Sequence, residues 1–187
     1  EPARSATLFA ARYAREHGLT VSYDPNLRRN LWSDEQTARQ YIREGLNLCD
    51  VAKLSDEECT FLCGDGEIDA LGHRLLAEHP NLKLLFVTCG AGGSYAFCGS
   101  RMAFVPGFSV KIADTTGAGD AFVGAVLYQI LRRGGLREAY SPAELEQLLT
   151  FGNAVGALSV QRYGAIPAIP TLAETESFLH AQGLLGA

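Results

Sequence analysis

The sequence lacks the features that mark membrane, nucleic-acid-binding and disulfide-rich proteins. None of its apolar runs approaches the roughly 18 residues that a membrane-spanning helix requires. The net charge of -5 argues against a surface for nucleic acid or anionic membrane. The five cysteines are odd in number and form no Cys-x-x-Cys pair, and the four histidines are scattered, so neither a disulfide framework nor a zinc site is predicted. We expect a cytoplasmic protein that binds neither nucleic acid nor membrane.

The sequence also has no initiator methionine and no signal-peptide pattern. It opens directly in the helical pattern of Arg4 to His17. We therefore expect it to begin within a longer protein. The 187 residues are 47% hydrophobic and 20% charged. This composition suits one domain, spanning 1–187, that buries about 70% of its unfolded surface.

Helical and strand patterns alternate along the chain, as they do in βαβ units. The spacing of apolar residues predicts helices over 3–17, 34–47, 55–62, 68–78, 119–132, 142–160 and 172–182. Buried strands are predicted over 19–23, 51–54 and 84–88, and a hairpin over 92–97 and 102–105. The product is an α/β fold with a mostly parallel sheet. In such sheets ligands bind beyond the carboxyl ends of the strands.

The run Ala113-Asp114-Thr115-Thr116-Gly117-Ala118-Gly119-Asp120-Ala121-Phe122 places a carboxylate at a glycine-rich turn before a predicted helix. Small residues at 117–119 let an anion approach the backbone N–H groups, which the helix macrodipole also favours. Asp120 in the first helical turn could then take a proton from an attacking hydroxyl. The alternative is that Asp120 only caps the helix and the glycines only turn the chain. The first interpretation indicates phosphoryl transfer.

This run resembles the C-terminal signature of the ribokinase-like (PfkB) carbohydrate kinases. With Asp24-Pro25-Asn26-Leu27-Arg28 and Lys53-Leu54-Ser55-Asp56-Glu57-Glu58, the chain is most similar to the bacterial fructokinases of that family. The resemblance implies a three-layer αβα, Rossmann-like fold. It also implies that Asp120 is the general base and that Gly117, Ala118 and Gly119 form an anion hole.

The resemblance covers only the C-terminal part of such enzymes. Their early strands, their small β-rich lid and their sugar-binding Gly-Gly motif have no counterpart here, so we expect the sheet to be incomplete at its N-terminal side. For the same reason we expect this chain alone to show no sugar phosphorylation. The family's lid often mediates dimers, so a homodimer of the full-length enzyme stays open.

Two further motifs follow predicted strands. By resemblance Asp24, Asn26 and Arg28 lie near the acceptor sugar and the transferred phosphate, where the guanidinium could neutralise developing charge. A solvated polar loop is the alternative. Glu58 matches the glutamate of the family's Asn-x-x-Glu motif and would contact Mg²⁺ through water. Ser55 and Glu58 could equally form a local capping box.

The remaining candidates concern the nucleotide and a monovalent cation. By resemblance Thr88, Gly90, Gly93, Gly117, Gly119 and Asn153 border ATP. A purely structural glycine turn at 88–93 and a helix-surface or core hydrogen bond for Asn153 are the alternatives. The sequence contains no Walker A motif, and no helix follows the 88–93 turn as a dinucleotide fingerprint requires. The resemblance also implies a K⁺ site made by Asp114, the Thr116 carbonyl and backbone carbonyls near Ser159, Arg162 and Gly164.

The sequence therefore predicts ATP-dependent, Mg²⁺-dependent phosphorylation of a sugar hydroxyl, with fructose as acceptor and fructose 6-phosphate as product. One alternative is another kinase of the same family, acting on a riboside, 2-keto-3-deoxygluconate or a nucleoside. The other is a non-catalytic fragment that binds a nucleotide.

Overall fold

A computed structural model describes residues 1–184. Seven helices lie within them: α1 Ala3–Glu16, α2 Glu35–Leu46, α3 Asp56–Cys63, α4 Ile68–Glu78, α5 Ala118–Arg132, α6 Pro142–Ser159 and α7 Leu172–Ala181. The five strands are β1 Ser22–Tyr23, β2 Val51–Ser55, β3 Leu84–Thr88, β4 Gly93–Cys98 and β5 Arg101–Pro106, and they form one sheet in the order β1-β2-β3-β4-β5. The predicted α/β alternation is confirmed.

The sheet is mixed, which corrects the expectation of a mostly parallel one. β1 pairs with β2 in parallel, with Ser22 opposite Val51 and Tyr23 opposite Ala52. β4 and β5 are joined by only Gly99 and Ser100, and such a short connection can link only antiparallel neighbours.

The prediction of a buried strand over 19–23 is confirmed only for its last two residues and is wrong about the rest of the range and about its burial. Only Ser22 and Tyr23 form β1, and the side chain of Leu19 is 58% exposed. The N–H of Leu19 donates to the Ala14 carbonyl at 2.9 Å, so this residue still belongs to the turn that ends α1. Helix α1 buries none of its residues completely, and it therefore provides no core against which Leu19 could pack.

The described residues divide into two compact units. The first comprises 1–87, 96–102 and 137–139, and its core includes the fully buried side chains of β2 and β3. The second comprises 88–95, 103–136 and the chain from 140 onwards, and it contains α5, α6 and α7. Its core is a cluster on these helices formed by Ala121, Ala125, Phe151, Ala154, Val155 and Leu179.

Gly152 allows α5 and α6 of the second unit to approach each other closely. A Cβ at this position would lie 2.6 Å from the Phe122 ring and 3.0 Å from Val126 Cγ1. Gly124, on α5, would meet nothing within 4 Å. We expect Gly152→Ala to lower the free energy of unfolding by about 1–3 kcal/mol through overpacking. Gly124→Ala should instead raise it by about 0.5–1 kcal/mol, because alanine is the better helix former.

Urea denaturation of the two variants beside the wild type measures both shifts. A Gly152→Ala protein as stable as the wild type would mean that the two helices can separate at no cost. Equal losses in both variants would mean that the effect is one of helix composition and not of packing.

Candidate active site

The turn at 117–120 begins α5 in the second unit. Gly117 is the N-terminal flanking residue and adopts a left-handed conformation, with φ 79° and ψ 4°. A Cβ there would lie 3.1 Å from the Cβ of Ala165 and 4.0 Å from Oδ2 of Asp120. Both the backbone conformation and the space therefore favour glycine. No side chain caps α5, so the first-turn N–H groups of Gly119 and Asp120 remain directed at the helix entrance.

Asp120 is exposed on the first turn of α5. Its carboxylate accepts no hydrogen bond from the described residues and pairs with none of their cations. A residue that served only to cap the helix would bind a backbone N–H through its side chain. The carboxylate is thus available to an incoming hydroxyl group.

Asp114 ties the loop before this turn to the chain that follows α6. Its Oδ1 accepts from Thr116 N at 2.9 Å and Thr116 Oγ1 at 2.7 Å, and its Oδ2 accepts from Gly164 N at 3.1 Å. These bonds, chiefly the one from the Thr116 backbone, lower the pKa of Asp114. The resulting stabilisation is complete above the ordinary pKa of a carboxyl group and is lost as the pH falls through the lowered value.

The residues predicted for a monovalent cation gather around the same two loops. The Val160 carbonyl accepts from the backbone N–H groups of Ala113 and Asp114, at 2.7 and 3.2 Å. Ser159 is buried and donates to the Gly156 carbonyl, and Arg162 pairs with Glu174. That ion pair is the main reason why the pKa of Glu174 falls to about 2. The carboxylate and carbonyl oxygens of these loops are the ligand type that hard cations take.

A cavity of about 380 Å³ lies beside the start of α5, entirely within the second unit. Five of the predicted nucleotide residues line it: Thr88, Gly90, Gly93, Gly119 and Asn153. Gly117 does not. Much of the remaining wall is apolar, with Phe108, Val110, Ile112, Phe122 and Val160. Among the described residues that line the cavity, none carries a charged side chain. Its apolar walls and its few hydroxyl and amide groups suit a flat, neutral ring system.

Asn153 makes core hydrogen bonds from its position in the wall of the cavity. Its Oδ1 accepts from Ser94 Oγ at 2.7 Å, and its Nδ2 donates to the carbonyls of Val105 at 3.0 Å and Pro106 at 3.3 Å. The core hydrogen bonds considered for Asn153 are therefore present, and its contact with a nucleotide stays a prediction. Sequence reasoning missed Ser94, whose only signal was a hydroxyl within a predicted strand.

The first unit holds the second group of predicted residues. Asn26, Arg28 and Glu58 line a cavity of about 260 Å³ together with Lys53. Arg28 Nη1 donates to Asn26 Oδ1 at 2.7 Å, and Asn26 itself has a positive φ of 47°. Asp24 Oδ1 accepts from Asn26 N at 3.1 Å, which anchors the loop where the chain turns.

Lys53 is a functional candidate that sequence reasoning missed. Its Nζ lies 3.2 Å from Asp24 Oδ2, and the two side chains are only 10% and 16% exposed. Burial raises the pKa of Asp24, and the Lys53 charge partly opposes that shift. The available signal was a lysine inside the apolar strand Val51-Ala52-Lys53-Leu54, because a buried cation requires a buried partner.

Glu58 both caps α3 and holds the 24–28 loop. Its Oε2 accepts from Ser55 N at 2.8 Å and Ser55 Oγ accepts from Glu58 N at 3.1 Å, which confirms the capping box. Its Oε1 accepts from Leu27 N at 2.5 Å. Each carboxylate oxygen keeps a further lone pair, and this fits contact with a hydrated Mg²⁺ through water. No group of three or more His, Cys, Asp or Glu within residues 1–184 could hold a metal ion directly.

None of the helices among the described residues is long and apolar enough to cross a membrane.

Residues 1–172 match the model of the pfkB family carbohydrate kinases, and the chain belongs to that family. It is 44% identical over 182 residues to the probable fructokinase-2 of Arabidopsis thaliana, an alignment that covers 97% of this chain and 54% of that protein. The chain thus spans about half the length of the curated relatives it matches.

Two solved structures extend the comparison. A fructokinase double mutant from Vibrio cholerae O395, bound to fructose, ADP and a potassium ion, superposes with a TM-score of 0.84 and 36% identity over 96% of this chain and 56% of its own. Aminoimidazole riboside kinase from Salmonella enterica, complexed with aminoimidazole riboside and an ATP analogue, gives a TM-score of 0.81 and 31% identity over 96% and 58%. The fold is therefore ribokinase-like.

Proposed function

We propose that this protein carries the phosphoryl-transfer half of an ATP-dependent sugar kinase, with fructose as acceptor and fructose 6-phosphate as product. The observation that carries the proposal is the gathering of five predicted nucleotide residues in one cavity whose wall also includes Ala118 and Gly119, the residues that precede Asp120. The 44% identity to a probable fructokinase supports fructose as the acceptor.

In this proposal Asp120 takes the proton of the attacking hydroxyl while the phosphoryl group rests on the turn at Gly117 to Gly119. The exposed carboxylate and the uncapped start of α5 support these two roles. In the first unit, Asp24 and Asn26 hold the loop that carries Arg28, the guanidinium that the family resemblance assigns to neutralising charge on the transferred phosphate. Glu58 would hold a hydrated Mg²⁺ through water, and the ion would supply electrostatic stabilisation to bound phosphates.

A coupled ADP-release assay on the full-length protein tests this function. It should be run with fructose, a riboside, 2-keto-3-deoxygluconate and a nucleoside as acceptors. Turnover with fructose well above the others supports the proposal. Preference for a riboside would favour a riboside kinase of the same family, an alternative supported by the 31% identity to aminoimidazole riboside kinase. Calorimetric ATP binding without turnover on any acceptor would leave a non-catalytic nucleotide-binding protein.

K⁺ should raise activity above that in Na⁺ or choline chloride at equal ionic strength. Asp114 joins the loops at 113–116 and 160–164, so a cation held by their oxygens would fix the turn at Gly117 and orient its N–H groups. The measurement is kcat in the three chloride salts, with Asp114→Asn as the variant that should lose the K⁺ effect. Identical rates in all three salts would remove the cation site from the proposal.

A further inference from the structure

The amide of Asn153 is bound at both ends by groups of the protein itself. Its two N–H hydrogens serve the carbonyls of Val105 and Pro106, and its oxygen accepts the Ser94 hydroxyl. Two carbonyl acceptors can face only the amide nitrogen, which fixes the orientation of the side chain. Asn153 can donate to a nucleobase only by giving up one of these bonds.

Ser94 supports this arrangement from outside the cavity. It lies in β4, is 0% exposed and does not line the cavity. Its hydroxyl therefore acts on a bound nucleotide only through Asn153. Leaving the Asn153 oxygen without this partner would cost part of the free energy that holds the amide in place.

The segment that Asn153 holds forms one wall of the cavity by close backbone contact. A Cβ on Gly93 would lie 2.2 Å from the Val105 carbonyl oxygen, and one on Gly107 would lie 2.4 Å from the Ala91 carbonyl oxygen. Gly107 N also donates to the Gly92 carbonyl at 3.3 Å. A shift of the 105–107 segment would therefore move the opposing glycine turn with it.

We propose that Asn153 is a positioning residue: held in place by Ser94, it fixes the 105–107 wall of the nucleotide cavity. The cavity then recognises a purine by its flat apolar shape and not through the Asn153 amide. The inference rests on the proposed nucleotide site. Phe108, Val110, Ile112 and Val160 supply the apolar surface, and this surface does not distinguish the exocyclic groups of adenine from those of guanine.

The test uses Ser94→Ala in the full-length protein, with KM measured for ATP, GTP and the acceptor sugar. We expect KM for both nucleotides to rise by the same factor, about three- to ten-fold, with kcat and the sugar KM changed less than about two-fold. Ser94→Cys should fall between Ala and the wild type, since a thiol is a weaker donor. It also provides a second measurement if the alanine variant folds poorly.

Thr175→Val is the matched control. Thr175 is 1% exposed and donates its hydroxyl at 3.0 Å to the carbonyl of Thr171, the residue before α7, and neither residue lines the cavity. Its loss should lower Tm as much as Ser94→Ala does while leaving both nucleotide KM values unchanged. This separates an effect on the cavity from a general loss of stability.

Asn153→Ala distinguishes a positioning role of Asn153 from direct recognition of the base. If Asn153 only positions the wall, KM for ATP and KM for GTP should rise equally, whereas a direct contact with the base would change the ratio of the two values by roughly ten-fold. A changed ratio would overturn the inference, as would a Ser94→Ala protein with a lowered Tm and normal KM values. A wild-type protein that binds neither nucleotide in calorimetry would instead contradict the proposed function, and the inference with it.

Discussion

Replacing Asp120 by Asn is expected to lower kcat by at least about 100-fold, because general-base assistance typically contributes 10²–10⁴ in rate. The amide keeps the size of the side chain but cannot accept a proton. ATP affinity should stay within a few-fold, since the cavity is lined by other residues. The measurement is kcat with fructose in the full-length protein, together with calorimetric binding of ATP.

Asp69→Asn is the control for the loss of a negative charge at a helix start. Asp69 is exposed on the first turn of α4, as Asp120 is on α5. Both substitutions should cost about 0.3–1 kcal/mol of helix-dipole stabilisation, and only Asp120→Asn should reduce turnover. Near-normal kcat in the Asp120 variant, with a Tm shift like that of Asp69→Asn, would reduce Asp120 to a stabilising residue.

Lys53→Met should lower the free energy of unfolding by about 3 kcal/mol at pH 7. The substitution keeps much of the side-chain volume but leaves the buried carboxylate of Asp24 without its cation. Removing Lys53 also removes the charge that opposes the burial-raised pKa of Asp24. Protonation of Asp24 then relieves part of the penalty, so the stability difference from the wild type should shrink as the pH falls toward 4.

Lys83→Met provides the comparison for this second experiment. Lys83 pairs with Glu138, whose side chain is 82% exposed, and such pairs contribute about 0–1 kcal/mol. Urea denaturation of both variants at pH 7 and pH 4 separates the buried pair from the exposed one. Equal losses for the two lysines, or a Lys53→Met deficit that does not change with pH, would mean that Asp24 is already neutral or well solvated.

The regular elements could be predicted where local signals agreed. Helix α4 and strand β3 have the predicted bounds, 68–78 and 84–88, because an apolar period marks each element over its whole length. The capping box of Ser55 and Glu58 is local chemistry within four residues and was also visible. The prediction for 19–21 failed because the burial of these residues depends on how α1 packs. The periodicity of 19–23 carries no information about the packing of α1.

The candidate site likewise contains residues that the local sequence predicts and residues that it does not. The carboxylate and the small residues at 117–120 were readable because a turn, a helix start and an acid adjoin in sequence. Lys53 and Ser94 were not, since their partners, Asp24 and Asn153, lie 29 and 59 residues away. Nothing in a local pattern states which distant groups will meet.

By itself the sequence determined that this is an α/β chain of the PfkB family with a glycine-rich turn and an acidic residue at the start of a helix. Those features arise from residues a few positions apart, which helical period and glycine conformation bring together. Only the tertiary structure decided that Asn153 donates both amide hydrogens to backbone carbonyls. It also decided that Glu58 binds the 24–28 loop in addition to capping its own helix. A buried polar group takes whichever partner the packing of distant segments brings within about 3 Å, and that choice is made by the core as a whole.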